Sequence, residues 1–433
     1  MDAQTVGILA IVVLLVLMFL GMHIGFAMFA VGVAGMFLII PTKAVLSTIS
    51  TEPFGGLAHY TLSTIPMFAL MGFFTFYGEQ TKDIFEAARR WAGRFPGGLA
   101  MTSVIGCTCF AFCSGSSLAS AAVMGKVIVP EMLRHGYDKR FAAGTVAASG
   151  TLAAMIPPSI ILILYGIITE QSIAKILIAG IIPGIISALI YMSGIFVIAR
   201  WNPGMSPSTT RGGWKERLIA LKGVWGIVIL AFLVLGGIYT GLFSPTEAGA
   251  AGAMGALLLG VASRRMNLAK FWMSLMDTAT MTAQIFIIIA GALMFARLLT
   301  FSRLPYALVN WVLHFQVSPH VILLGVMGLY IILGTFMEPL GMMFITLPII
   351  FPVITALGFN PIWFGILIAK TIEIGVITPP VGMNVYALKS AVPQVSLEDI
   401  FKGISWFLVM DILTLGLLLA VPSIATFLPD LMK

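Results

Sequence analysis

The chain has 433 residues, of which 59% are apolar and 9% charged, with a formal net charge of +7 and a mean hydropathy of +1.05. A soluble domain of that composition would lack the polar surface to cover itself, so the sequence reads as an all-α polytopic membrane protein. The positive balance is not a nucleic-acid footprint, because the basic residues sit in short loops between apolar spans.

The first apolar run, Thr5 to Ile40, is too long for one span and too long for a signal-peptide core, so it reads as two helices turning near Gly21-Met22-His23. Gly21, Gly25, Gly32 and Gly35 would let these two helices pack closely. A polar link, Pro41 to Pro53, precedes a third span from about Phe54 to Tyr77. Residues 82–94 then carry Phe85, Ala88 and Trp91 at helical spacing opposite Lys82, Glu86, Arg89 and Arg90, which predicts an amphipathic arm at the membrane interface.

Residues 97–130 form an apolar run interrupted by Ser114-Gly115-Ser116-Ser117. Its second limb, Leu118 to Pro130, is too short to cross comfortably, so the run reads as a re-entrant hairpin. Cys107, Cys109 and Cys113 in its first limb lack the spacing and the histidines of a zinc site and read as packing residues. Residues 141–168 would be an ordinary span but for Pro157-Pro158, which predicts a discontinuous helix. Ser172 to Ala199 closes the first half, residues 1–200, and a polar linker occupies 201–222. The second half, 223–433, brings spans at Gly223 to Phe243, Thr246 to Ala262 and Phe271 to Leu299, and an arm at 303–315 striped by Leu304, Leu308, Trp311 and Phe315. A hairpin at 319–352 follows, its tip at Gly334-Thr335-Phe336-Met337-Glu338-Pro339, then a helix at 362–388 broken at Thr378-Pro379-Pro380 and a last span from Ile404 to Phe427.

Pro130 and Pro352, Gly136 and Gly358, and Pro157-Pro158 and Pro379-Pro380 are each 222 positions apart, which marks a repeat. Each half makes five net crossings, an odd number, so the halves are inverted, with about 10–12 transmembrane helices in all. With the N-terminus on one face, Lys82, Arg89, Arg90, Arg94, Arg134, Lys139, Arg140, Arg200, Arg211, Lys215, Arg217, Lys222, Arg264, Arg265, Lys270, Lys389 and Lys402 fall on the other. The first face keeps Lys43, Lys175, Arg297, Arg303 and Lys433. By the positive-inside rule both termini are then outside the cytoplasm.

Irregular backbone at membrane depth survives only where protein encloses it or it lines a watery cavity. Two hairpins and two broken helices put helix N-termini, which suit a carboxylate, beside unwound carbonyls and hydroxyls, which suit Na⁺. Glu338 and Glu373 are functional candidates as intramembrane acids, although Lys370, one turn before Glu373, offers a purely structural pairing. Asp277 and Asp411 read as solvated or capped near span ends, and the five histidines form no cluster.

The run Ser114-Gly115-Ser116-Ser117 with Ala119-Ser120-Ala121, Pro130-Glu131-Met132, Gly136-Tyr137-Asp138, Ala148, Gly150-Thr151-Leu152 and Ile156-Pro157-Pro158-Ser159 resembles the large membrane subunit of tripartite ATP-independent periplasmic (TRAP) transporters. So do Met337-Glu338-Pro339, Pro348, Pro352, Gly358 and Thr378-Pro379-Pro380-Val381-Gly382 with Asn384. The resemblance spans nearly the whole chain. It implies an elevator-type transporter of the ion transporter superfamily in the bacterial inner membrane, coupled to Na⁺ and without another cofactor. It also implies a separate small four-helix membrane subunit and a periplasmic solute-binding protein that delivers an organic acid, such as a C4-dicarboxylate or sialic acid. The implied Na⁺ ligands lie at Ser114, Ser116, Ser117, Gly334, Pro339 and Thr378. The implied substrate or ion site adds Gly115, Gly150, Thr151, Pro157, Pro158, Thr335, Met337, Glu338, Thr371, Glu373, Pro379 and Pro380.

Other classes fit less well. No histidine neighbours Ser114 or Ser149 as an enzyme's general base would, and no His-Glu-x-x-His or Walker motif occurs. A proton-coupled organic-anion permease using Glu338 or Glu373, without a binding protein, remains the alternative.

Overall fold

Long apolar stretches in a bilayer satisfy their backbone as helices or closed barrels, and among the described residues every regular element is helical. The computed structural model describes residues 2–93, 95–207, 214–314 and 317–432. Arg94, Arg211, Phe315 and Lys433, which figured in the arms and in the charge asymmetry, lie outside these. Among the described residues, Ile173–Trp201, Leu268–Ser302, Pro339–Ala356 and Leu397–Ala420 are long and apolar enough to cross a bilayer, and Thr42–Leu57 with Tyr60–Tyr77 forms one further, bent pair. Five shorter apolar helices of 10–17 residues accompany them.

The element order occurs twice. Ala3–Phe19 and Ile24–Ile39 correspond to Trp214–Tyr239 and Pro245–Ala262, and the bent pair corresponds to the single helix Leu268–Ser302. Each copy then has an arm, Gln80–Ala92 or Leu304–His314, entered through one left-handed residue, Glu79 (φ 57°) or Arg303 (φ 55°). The hairpins follow as Gly98–Ser114 with Ser117–Arg134, and Pro319–Gly334 with Pro339–Ala356. The broken helices are Lys139–Gly150 continuing through Thr151–Ala154 to Ile160–Ile168, and Pro361–Ile377 with Met383–Ala391. Helix caps keep the register: Asp138 accepts from Arg140 N–H at 2.9 Å and Asn360 from Ile362 N–H at 2.9 Å, 222 positions apart.

Four expectations change. The presumed polar link is the helix Thr42–Leu57, which ends where Gly55 and Gly56 weaken it, and the next helix turns away by 50°. The linker 201–222 is shorter than its polarity suggests, because a helix already begins at Trp214. The first hairpin's second limb runs past Pro130 to Arg134, since one proline removes one donor without ending the helix, so its shortness does not define the hairpin. Finally, Gly25, Gly32 and Gly35 do not serve the contact between the first two helices. They admit the long helix Leu268–Ser302, where a Cβ on Gly25 would come within 2.7 Å of the Ile287 carbonyl oxygen and one on Gly32 within 2.7 Å of the Met294 carbonyl carbon.

Candidate binding site

Each hairpin tip nests in the break of its own copy's discontinuous helix. Gly115 ends the first limb with φ 58°, and a side chain there would run into the Pro158 carbonyl oxygen. The Gly115 carbonyl accepts from Ile160 N–H at 3.2 Å, just past Pro157-Pro158. In the second copy the Thr335 carbonyl accepts from Gly382 N–H at 3.3 Å, just past Pro379-Pro380. Ile160 and Gly382 are 222 positions apart, and Gly115 and Thr335 are 220. The two missing positions lie in the tip: residues 115–116 separate the first pair of limbs and 335–338 the second.

The second limbs restart under equivalent N-caps, Ser116 and Glu338, again 222 apart. Ser116 Oγ accepts from Ala119 N–H at 3.4 Å, whereas Glu338 makes no capping bond. Both caps line one cavity of about 360 Å³, together with Gly115, Ser117 and Pro339. Its far wall is His23 from the turn before Ile24–Ile39, and Met281, Gln284, Ile285 and Ile288 from Leu268–Ser302. Two helix N-termini therefore converge on one polar-capped space; their free N–H groups favour an anionic group, whereas the Glu338 carboxylate in the same lining opposes a second negative charge. His23 Nδ1 accepts from Gly25 N–H at 3.3 Å, so in the neutral ring the proton sits on Nε2.

The remaining predicted residues do not all face this cavity. Gly334 packs on Gly375, where a Cβ would lie 2.9 Å from the Gly375 Cα, and Gly150 packs beneath the first hairpin, where a Cβ would lie 3.0 Å from Ala121 N. The hydroxyls of Thr335, Thr371 and Thr378 donate to the carbonyls of Ile332, Leu367 and Ile374 at 2.6–2.7 Å. Ser114 and Ser120 share a hydrogen bond at 2.9 Å. Met337 is buried, Pro157-Pro158 are buried, and Pro379-Pro380 are exposed.

Asp411 is neither solvated nor near an aqueous end. It is fully buried, and its Oδ1 accepts from Lys370 Nζ at 2.5 Å and from the Tyr191 hydroxyl at 2.6 Å. Lys370 therefore serves Asp411 rather than Glu373. Asp277, half-buried, accepts from the Tyr77 hydroxyl at 2.6 Å. Sequence reasoning passed over His23 and Gln284 as cavity residues. Gln284 was visible as the lone amide side chain in an apolar span, but only the fold reveals which face it shares with the tips.

Hairpin tips lodged in broken helices, beside a cavity walled by continuous helices, define a helical membrane permease of the secondary-transporter class. Solved structures share the fold. The YdaH transporter of Alcanivorax borkumensis superposes with a TM-score of 0.64 at 14% identity, covering 88% of both chains. MtrF of Neisseria gonorrhoeae gives 0.55 at 14%, covering 86% of this chain and 83% of its own. The family model for the tripartite ATP-independent periplasmic transporter, DctM component, matches residues 11–424, and the chain belongs to that family. It is thus an integral inner-membrane permease subunit and not an enzyme. The C4-dicarboxylate TRAP transporter large permease protein DctM of Pseudomonas aeruginosa is 36% identical over 374 residues, covering 86% of this chain and 87% of the relative. The sialic acid TRAP transporter large permease protein SiaM of Vibrio cholerae is 31% identical, covering 96% of each. The ectoine TRAP transporter large permease protein TeaC of Halomonas elongata is 30% identical, covering 96% of this chain and 97% of the relative.

Proposed function

We propose that the chain imports an organic acid, such as a C4-dicarboxylate or sialic acid, in symport with Na⁺. A periplasmic binding protein delivers the acid, and a small membrane subunit braces the permease. The observation that carries this reading is the cavity between Ser116 and Glu338, where both second limbs present N-terminal N–H groups beside the unwound tips. The acid's carboxylate lies against these N-termini. Na⁺ is held by the oxygens of the two tips and breaks, at Ser114, Ser116 and Ser117 and at Gly334, Pro339 and Thr378. The cavity is walled by the hairpins on one side and by continuous helices on the other, which suits an elevator movement of hairpins and broken helices, residues 97–168 and 319–388, carried by the arms. Both termini face the periplasm in this arrangement, as the basic residues suggest.

Proteoliposome uptake with Na⁺ and pH gradients imposed separately tests the coupling. Accumulation should require inward Na⁺ and fall when Ser116→Ala replaces one tip hydroxyl. Uptake driven by a pH gradient and indifferent to Na⁺ would establish the proton-coupled alternative instead.

A further inference from the structure

Among the described residues three charged side chains are buried: Lys370 (1% exposed), Glu373 (2%) and Asp411 (0%). The lysine is committed, with its ammonium on Asp411 and 5.5 Å from the centre of the Tyr191 ring. One cation thus faces two carboxylates, and Glu373, one turn further along the helix, makes no well-formed hydrogen bond on either oxygen, although the Ser117 hydroxyl is close enough to interact with its carboxylate. A buried carboxylate without a counter-charge is among the most costly arrangements in a protein interior, more so at membrane depth.

The surroundings of Glu373 can be named. Lys370 lies on its own helix, Asp411 on Leu397–Ala420 and Tyr191 on Ile181–Trp201, and the Ser117 hydroxyl of the first hairpin tip lies beside its carboxylate. The N-terminus of that hairpin limb does not satisfy it: Ala119 N–H bonds Ser116 Oγ and Ser120 N–H bonds the Ser116 carbonyl at 3.0 Å. Two elements packed on the same limb bring further buried oxygens without partners. Ser149 precedes Gly150, which abuts Ala121, and Asn384 lies on the helix whose Leu388 abuts Gly125.

The repeat supplies the contrast. At 222 positions from Glu373 stands Thr151, and at 222 from Ser117 stands Pro339. The Thr151 hydroxyl is neutral and donates to the Ala148 carbonyl at 2.7 Å. The two equivalent positions therefore differ by one full negative charge. Resting on the Na⁺-coupled reading above, we infer that Glu373 is the counter-charge of one sodium ion bound beside Ser117, a charge that the equivalent position in the other copy, Thr151, does not supply.

Sodium binding to the purified full-length protein in detergent tests this without transport, using ²²Na⁺ equilibrium binding and the NaCl dependence of thermal unfolding, with choline as the replacing cation. Glu373→Gln should lose one bound Na⁺ per chain and shift the NaCl midpoint of stabilisation upward by about tenfold or more. In Na⁺-free buffer it should melt no lower than wild type, because an amide needs no counter-charge. An unchanged Na⁺ count and midpoint would overturn the inference, as would a change confined to the pH dependence, which would make the counter-charge a proton. Should Glu373→Gln not accumulate, Glu373→Asp must keep the count with weaker binding. The paired Lys370→Met/Asp411→Asn variant must also keep it, and a lost ion there would assign the site to Asp411 and refute the role of Glu373. Wild type that binds no Na⁺ at all would overturn the coupling reading and this inference together, whereas normal wild-type binding with an unaffected Glu373→Gln removes the inference alone.

Discussion

The two copies of the repeat agree where tip meets break and diverge elsewhere. Tip and break are joined by the same backbone hydrogen bond in each copy, and the caps Ser116 and Glu338, and Asp138 and Asn360, hold a constant register. Outside that nucleus, one copy bends its third helix by 50° while the other runs 35 residues unbroken. The first break is buried and the second exposed. One arm carries Asp83, Glu86, Arg89 and Arg90, and is tied to the long helix's lead-in by Arg265 on Asp83; the other is apolar but for Asn310 and His314. The lesson is that backbone geometry at the tips is what both copies must reproduce, while side-chain charge is free to differ, and it does so at Glu373 and Thr151.

The sharpest way to break this comparison is at the first tip. Gly115→Val needs both a left-handed backbone and space that the Pro158 carbonyl fills, so it should cost about 3 kcal/mol or more and deplete folded protein in fluorescence-detected size exclusion. Gly358→Ala, also left-handed (φ 81°) but in open space, should cost about 1 kcal/mol. Equal behaviour would mean that the tip does not nest in the break.

Next in size is the buried pair. Lys370→Met leaves two buried carboxylates uncompensated and should destabilise by about 3–5 kcal/mol, with most of the loss recovered in Lys370→Met/Asp411→Asn. Thr151→Ala, the neutral counterpart, should cost no more than about 1.5 kcal/mol in the same thermal melts. At the second tip, Gly375→Ala places a Cβ 2.7 Å from the Gly334 Cα and should cost about 1–3 kcal/mol through overpacking, read as a lower Tm.

The smallest effect separates the arms. Burial pushes the Glu86 carboxyl up, but the Arg89 and Arg90 guanidiniums outweigh it and hold it below its usual range. A depressed carboxyl contributes stability that is present above its unfolded value of about 4.3 and is lost as pH falls through the folded value. Hydrogen exchange should therefore show Gln80–Ala92 losing protection on acidification below about pH 4, while Leu304–His314, which has no carboxylate, keeps its own.

Much of this was legible in the residues. Apolar runs too long for one span, two double prolines and the 222-residue spacing dictate hairpins, broken helices and the repeat, because backbone in lipid has few alternatives to a helix. The tips announced themselves as serine, glycine and glutamate where a helix should have continued. What the sequence could not reveal was which groups face each other across 40 to 260 positions. Lys370 has Glu373 one turn away and yet bonds Asp411, because side-chain direction and packing, not proximity along the chain, choose the partner of a buried charge. His23 and Gln284 reach the cavity only because glycines let Ile24–Ile39 lie directly on the long helix. Composition and period thus determined the elements and their order; the close approach of those elements alone decided which acid kept a lysine and which was left beside the tip.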